Sequence, residues 1–197
     1  MSSKIEICNL ALNHIGQRTI SSLTENTQAA RSCSLIYDTV RDSVLRDNAW
    51  NFATLMEQLA LVSGESVPIW DYLYTYPVQC LFVRKVFNAN TAANQLPDEH
   101  QEMLTPVTKQ KCIATNLELA WIEYTYQVTD PNLYDGNFID ALSYRLASSL
   151  AQNISGNIAL AKDLMTIYQQ VLDRAKLSNA REGVNKRNNY SGLVESR

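Results

Sequence analysis

The chain has 197 residues, 46% of them hydrophobic and 19% charged, with a formal net charge of −3. That length suits one domain, or one domain carrying a subdomain, and the apolar share suits a real core. The acidic balance speaks against a surface that coats nucleic acid. No apolar run reaches the roughly 18 residues of a membrane helix, and the opening MSSKIEIC lacks a signal-peptide layout, so the expected setting is the cytosol.

A first helix is predicted from Ser3 to Ile15, with Ile5, Cys8, Leu12 and Ile15 on its buried side. Ser2 or Ser3 can cap it, and Gly16 follows as its C′ residue. The link QRTISSL is short, so helices one and two should pack close together, with Ile20 and Leu23 plugging the turn. The stretch Ser22 to Phe52 reads as the organising element. Ala29, Cys33, Ile36, Val40 and Val44 form the stripe of an amphipathic helix. Ser22 with Glu25 reads as a capping box, and Asn26 is a second N-cap candidate. Arg31, Asp38, Arg41, Asp42 and Arg46 fall opposite the stripe and read as a solvated ion-pair face rather than a carboxylate pair for chemistry. Trp50 and Phe52 read as core.

Between Leu59 and Val128 the pattern changes. Gly64 and four of the five prolines exclude long helices there. Gln79 to Phe87 and Trp121 to Val128 are rich in strand formers, and Lys111 to Leu117 supplies a third strand that turns at Asn116-Leu117-Glu118. Tyr72, Tyr74 and Tyr76 alternate, so an extended chain puts them on one face, as a structural sheet face or a subunit contact. One antiparallel sheet of three or four strands is expected, with residues 88–108 as a polar excursion from it.

Asp130-Pro131-Asn132 ends the sheet. Asp135 caps a third helix reaching about Asn153, with Phe138, Leu142, Leu146 and Leu150 on its seam beside Ala141, Ala147 and Ala151. After a turn at Ile154 to Asn157, a fourth helix runs to about Leu177 on Ala161, Leu164, Tyr168, Val171 and Ala175. The expected fold is α+β, mainly α: a four-helix bundle from residues 1–56 and 130–180, an inserted small antiparallel β-sheet at 57–129, and an extended C-terminal arm at 181–197. The arm carries Arg181, Lys186, Arg187 and Arg197, with Tyr190, Leu193 and Val194 as apolar anchors. It reads as a segment that orders on a partner.

No GxGxxG, Walker loop, HExxH or GxSxG occurs. The four cysteines, at 8, 33, 80 and 112, form no CxxC and stand near no histidine at zinc-ligand spacing, so they read as buried, reduced thiols. The one acidic–histidine trio, Asp98-Glu99-His100, would serve a small metal-dependent hydrolase. An acidic DNA-packaging or regulatory factor is the other alternative. No catalytic, cofactor-binding or metal-binding residue is assigned, and no enzyme activity is expected.

Several stretches taken in order resemble one family. They are Cys8-Asn9-x-Ala11-Leu12-x-x-Ile15-Gly16, Ile20-x-Ser22-Leu23-x-Glu25, Ala30-x-x-Cys33-x-x-x-Tyr37, Arg41-Asp42-x-x-Leu45-Arg46 and Trp50-x-Phe52-Ala53. Further along come Trp70-x-Tyr72-x-Tyr74-x-x-Pro77-x-x-Cys80, then Tyr124, Thr129-Asp130-Pro131, Phe138, Ala141-Leu142 and Leu146-Ala147. Together they resemble phage tail tubular protein A, the head-to-tail adaptor of short-tailed phages and related prophages. The resemblance implies a homo-oligomeric ring, usually a dodecamer, at the head–tail junction of the virion and assembled in the host cytoplasm. Such a ring sits below the portal protein and joins it to the tail nozzle or tube. Genomic double-stranded DNA passes through it without sequence-specific binding. The resemblance implies no membrane, no cofactor and no catalysis. It places the portal contact on a C-terminal arm, here Arg181, Lys186, Arg187, Tyr190, Leu193, Val194 and Arg197.

Overall fold

Helix α1 (Lys4–His14) starts where Ser3 and Glu6 cap each other reciprocally, and it ends at Gly16, whose φ of +66° suits a residue without a side chain. The fold comes from a computed structural model that describes residues 3–88 and 99–182, with the backbone alone at 179–182. Helix α2 (Gln28–Asp47) begins later than Ser22 or Asn26 predicted. Thr27 is its N-cap, accepting from the Ala30 amide. Glu25 closes a turn instead, taking the backbone amides of Ser21 and Ser22 on one carboxylate oxygen. Helix α3 (Gly136–Leu150) is capped by Asp135 as expected and runs into a π-helical turn, Ala151–Ser155, which Gly156 ends at a φ of +63°. Helix α4 (Ile158–Glu182) continues past Leu177, so the first two residues of the predicted arm belong to a helix.

The expectation of a four-helix bundle with one small sheet is corrected. Among the described residues helix makes up 47% and strand 23%, so the α+β class stands while the architecture changes. The inserted part holds two three-stranded antiparallel sheets. One has the order β1-β6-β3, from Thr54–Gln58, Ala120–Tyr126 and Cys80–Asn88. The other has the order β2-β5-β4, from Tyr72–Thr75, Lys111–Thr115 and His100–Leu104. β5 and β6 are each central in their own sheet, and the turn at Asn116 to Leu119 leads from one sheet to the other. The chain also crosses after β1: the Leu59 amide donates to Ala120 O, and the Val62 amide donates to Leu73 O. Leu59, Tyr74, Val83, Val86, Ile113, Ile122 and Tyr124 form the core between the sheets. Tyr72 and Tyr76 pack on that same core, so the tyrosine alternation is structural.

The helices correct a second expectation. α1, α2 and α4 each pack on α3, whose Phe138, Ala141, Leu142, Leu146, Ala147 and Leu150 are fully buried. α1 and α2 touch each other only lightly, so α3 is the hub and not α2. Small residues explain this: Ala141 and Ala147 let neighbouring helices approach closely.

One aromatic cluster joins the two parts. Trp50 and Phe138 meet edge-on at 5.1 Å between centroids, Phe52 meets Phe138 at 5.1 Å, and Tyr134 meets Phe138 at 4.7 Å. Trp50 Nε1 donates to Val44 O at 2.8 Å, and Tyr134 O–H donates to Val128 O at 3.0 Å, so neither ring leaves a buried donor unmade. Trp50 is therefore core, as predicted, and Phe52 packs against that core. Deleting the Phe138 ring should cost roughly 3–5 kcal/mol in urea unfolding. Leu35→Ala, at a position 80% exposed, should stay within about 0.5 kcal/mol of the parent.

Candidate functional site

The ion-pair face expected around Asp38 and Asp42 of α2 forms, with Arg31, Asp38 and Arg46 exposed, but Arg41 within it is not solvated. Arg41 is only 3% exposed. Its guanidinium bridges Asp38 at 2.6 Å and Asp42 at 2.7 Å, while Lys4 of α1 reaches Asp38 at 2.9 Å. Gln127, just after β6, donates to the second Asp42 oxygen at 2.7 Å, and its amide donates to Gln79 O. The cluster therefore ties α1, α2 and the end of the β insert together. A buried arginine demands such partners, which is why the two carboxylates flank it one turn apart.

Above this cluster, the sheet β1-β6-β3 turns one face outward. Alternation along β6 sends Ile122 and Tyr124 inward, and Trp121 and Glu123 to the other side. The register sets Trp121 opposite Phe87, Glu123 opposite Met56 and Lys85, and Thr125 opposite Phe82. Met56 is 54% exposed and Phe82 46%. Trp121 and Phe87 are half-buried, and Lys85 Nζ sits 5.0 Å from the Phe87 ring centroid. This face combines aromatic side chains and a methionine, types enriched at protein–protein contacts, with a lysine, a type depleted there.

At its lower end the face meets the C-terminus of α2 in an open groove of about 470 Å³. Two register shifts in β3, at Cys80/Phe82 and Val83/Lys85, re-aim Arg84 towards it. Arg84 Nε donates to Thr125 Oγ1 at 3.0 Å, and Nη2 donates to Asn48 O at 3.3 Å. Burial holds the Arg84 guanidinium below its ordinary value, and the nearby Glu123 carboxylate opposes that shift. Asp47 accepts from Tyr168 O–H at 2.6 Å, and burial pushes that phenol up.

Lys186, Arg187, Tyr190, Leu193, Val194 and Arg197 lie outside the described residues, as does Asp98; Arg181 is described only as backbone in the last turn of α4. His100 is on β4, opposite Thr115, in what was expected to be a polar excursion. Among the described residues no three of His, Cys, Asp and Glu come together as a metal site, and no helix is long and apolar enough to cross a membrane. Cys8, Cys33 and Cys112 are buried and unpaired by disulfide, and Cys80 is half-buried. The outward sheet face escaped sequence reading because Met56 and Phe82 belong to strands whose facing partners are far apart in the chain. The alternation of Trp121 and Glu123 against Ile122 and Tyr124 was the one signal for it.

Compared with known families and with curated proteins, the chain matches no family model and no single protein.

The Asp38 carboxyl is held below its usual value of 3.8, first by the Lys4 hydrogen bond and then by the charges of Arg41 and Lys4. A depressed folded value means the stability it contributes is complete above the free-chain value and drains as pH falls through and below it. Asp38→Asn should therefore flatten the fall of stability between about pH 5 and pH 2, read by denaturant midpoints across that range. An unchanged slope would remove Asp38 from the acid response.

Proposed function

We propose that the chain is the subunit of a structural adaptor ring, of the phage tail tubular protein A kind, that docks beneath a portal and links it to the tail. The observation that carries this reading is the outward face of β1-β6-β3, with Met56, Phe82, Phe87 and Trp121 beside Lys85 and Arg84. A surface of that composition suits being gripped by another protein. The ordered residue matches from Cys8 to Ala147 suggest which proteins do the gripping: copies of itself, the portal and the tail tube. The rigid α3 hub supports the reading too, because a ring subunit must hold its contact faces at a fixed angle.

In this reading the subunit makes or breaks no bond. The net charge of −3 suits a channel through which duplex DNA slides without being held. Residues beyond α4 would order on the portal, which must offset roughly 1–2 kcal/mol of backbone entropy per fixed residue. Mixed with portal, the purified chain should form a ring stacked on it, seen as particle mass by light scattering and as a second tier in negative-stain images. A chain ending at Glu182 should keep its core stability and fail to join heads. Normal incorporation of that shortened chain would contradict the role given to the arm, and a chain indifferent to portal would contradict the adaptor reading.

A further inference from the structure

Two thiols stand on neighbouring helices, and the proposed function makes no use of them. Cys8 lies on α1 and Cys33 on α2, and both are fully buried in the helical core. Their register can be read from the helix surfaces. Lys4 of α1 pairs with Asp38 of α2 at 2.9 Å, and its Nζ lies 5.1 Å from the centroid of the Tyr37 ring. The Asn9 side chain holds the backbone amide and carbonyl of Ile20 in the link, so the chain turns back there and α2 runs antiparallel to α1. One turn forward from Lys4 is Cys8, and one turn back from Tyr37 is Cys33. The two sulfurs therefore face each other. The Cys8 S–H donates towards the Cys33 sulfur, and this holds the Cys33 thiol below its ordinary value against the opposing effect of burial.

The other two thiols lie in the β insert. Cys80 is on β3 beside the Tyr76 hydroxyl, and Cys112 is on β5 in a separate small core. Cys33 is therefore the cysteine that Cys8 can reach. We propose that Cys8 and Cys33 form a redox-responsive staple, closing to a disulfide that joins α1 to α2 under an oxidant of the peroxide class. The Cys33 sulfur attacks one peroxide oxygen, giving a sulfenic acid and a first water. The Cys8 sulfur then forms the S–S bond and expels the remaining oxygen as a second water. Two thiols and one peroxide thus give one disulfide and two waters. Full burial makes access the slow step. Peroxide is scarcely larger than water, and α1, only 11 residues long, touches α2 lightly, so a local opening of α1 admits it. In a reducing compartment the pair stays as thiols. Once closed, the bond ties together two helices that otherwise share little packing, and it restricts the unfolded chain between residues 8 and 33. The inference is independent of the adaptor reading.

The test treats the folded full chain with hydrogen peroxide, without denaturant, and reads a non-reducing peptide map and the urea midpoint. The dose is set by conversion of the exposed Met56 to its sulfoxide. One linked peptide should carry Cys8 with Cys33, the midpoint should rise against the same sample after dithiothreitol, and dithiothreitol should release the link. Cys8→Ala should form no such link and show no midpoint shift on reduction. Because Cys8 is a core residue, Cys80→Ser serves as the variant that leaves the helical core alone, and it should close the pair as the parent does. Cys8 and Cys33 still present as thiols at that dose would overturn the inference. So would links from either of them to Cys80 or Cys112, or separate oxidation of each sulfur to a sulfinic acid. A Cys8–Cys33 link that leaves the midpoint unchanged or lowers it would equally remove the staple.

Discussion

Everything in the fold depends on one aromatic knot. Trp50 and Phe52 stand where the chain leaves the helices, Tyr134 and Phe138 where it returns, and all four rings meet. The knot brings together the two ends of a long insert. Closing a loop becomes only slowly more costly with its length, so once the ends are pinned the insert is free to be large. Each edge-on ring contact adds on the order of 0.5–1.5 kcal/mol beyond burial. The Arg41 cluster then fixes the angle of the insert, because Gln127 is held by Asp42 on the outgoing side and by Gln79 within the insert.

From that knot outward, the molecule divides its work. The α3 hub buries nearly all its apolar surface among α1, α2 and α4. The two sheets bury one shared core, and β5 is buried along almost its whole length. Among the described residues, β1 and β3 expose Leu55, Met56 and Phe82, while still more exposed apolar side chains, Leu35, Ile69, Val78 and Val107, are scattered elsewhere.

Local chemistry was legible in the sequence where one short segment decides it. The Ser3–Glu6 box, Gly16, the Asp135 cap and the seam of α3 all depend on residues a few positions apart. The strands β3, β5 and β6 were legible from their branched and aromatic residues. β1, Thr-Leu-Met-Glu-Gln, and β4, His-Gln-Glu-Met-Leu, were not: both are made largely of helix formers, and pairing with β6 and β5 overrides that preference. The number of sheets was hidden for the same reason, since pairing between distant segments leaves no local mark. The ion pairs of Arg41 with Asp38 and Asp42 were legible from their spacing; its burial was not, because it depends on tertiary packing that leaves no local mark. Of the groove, no single stretch carries the signal; Arg84 reaches it only through irregularities in β3.

The central claim is that this molecule acts through a surface that another protein covers. Hydrogen exchange of the chain alone and of the chain on a portal tests it most directly. The account predicts slowed exchange at the sheet edges β1 and β3 on assembly, with the amides of α3 unchanged. Exchange at β1 and β3 that is the same in both states, on particles shown to contain the chain, would contradict it.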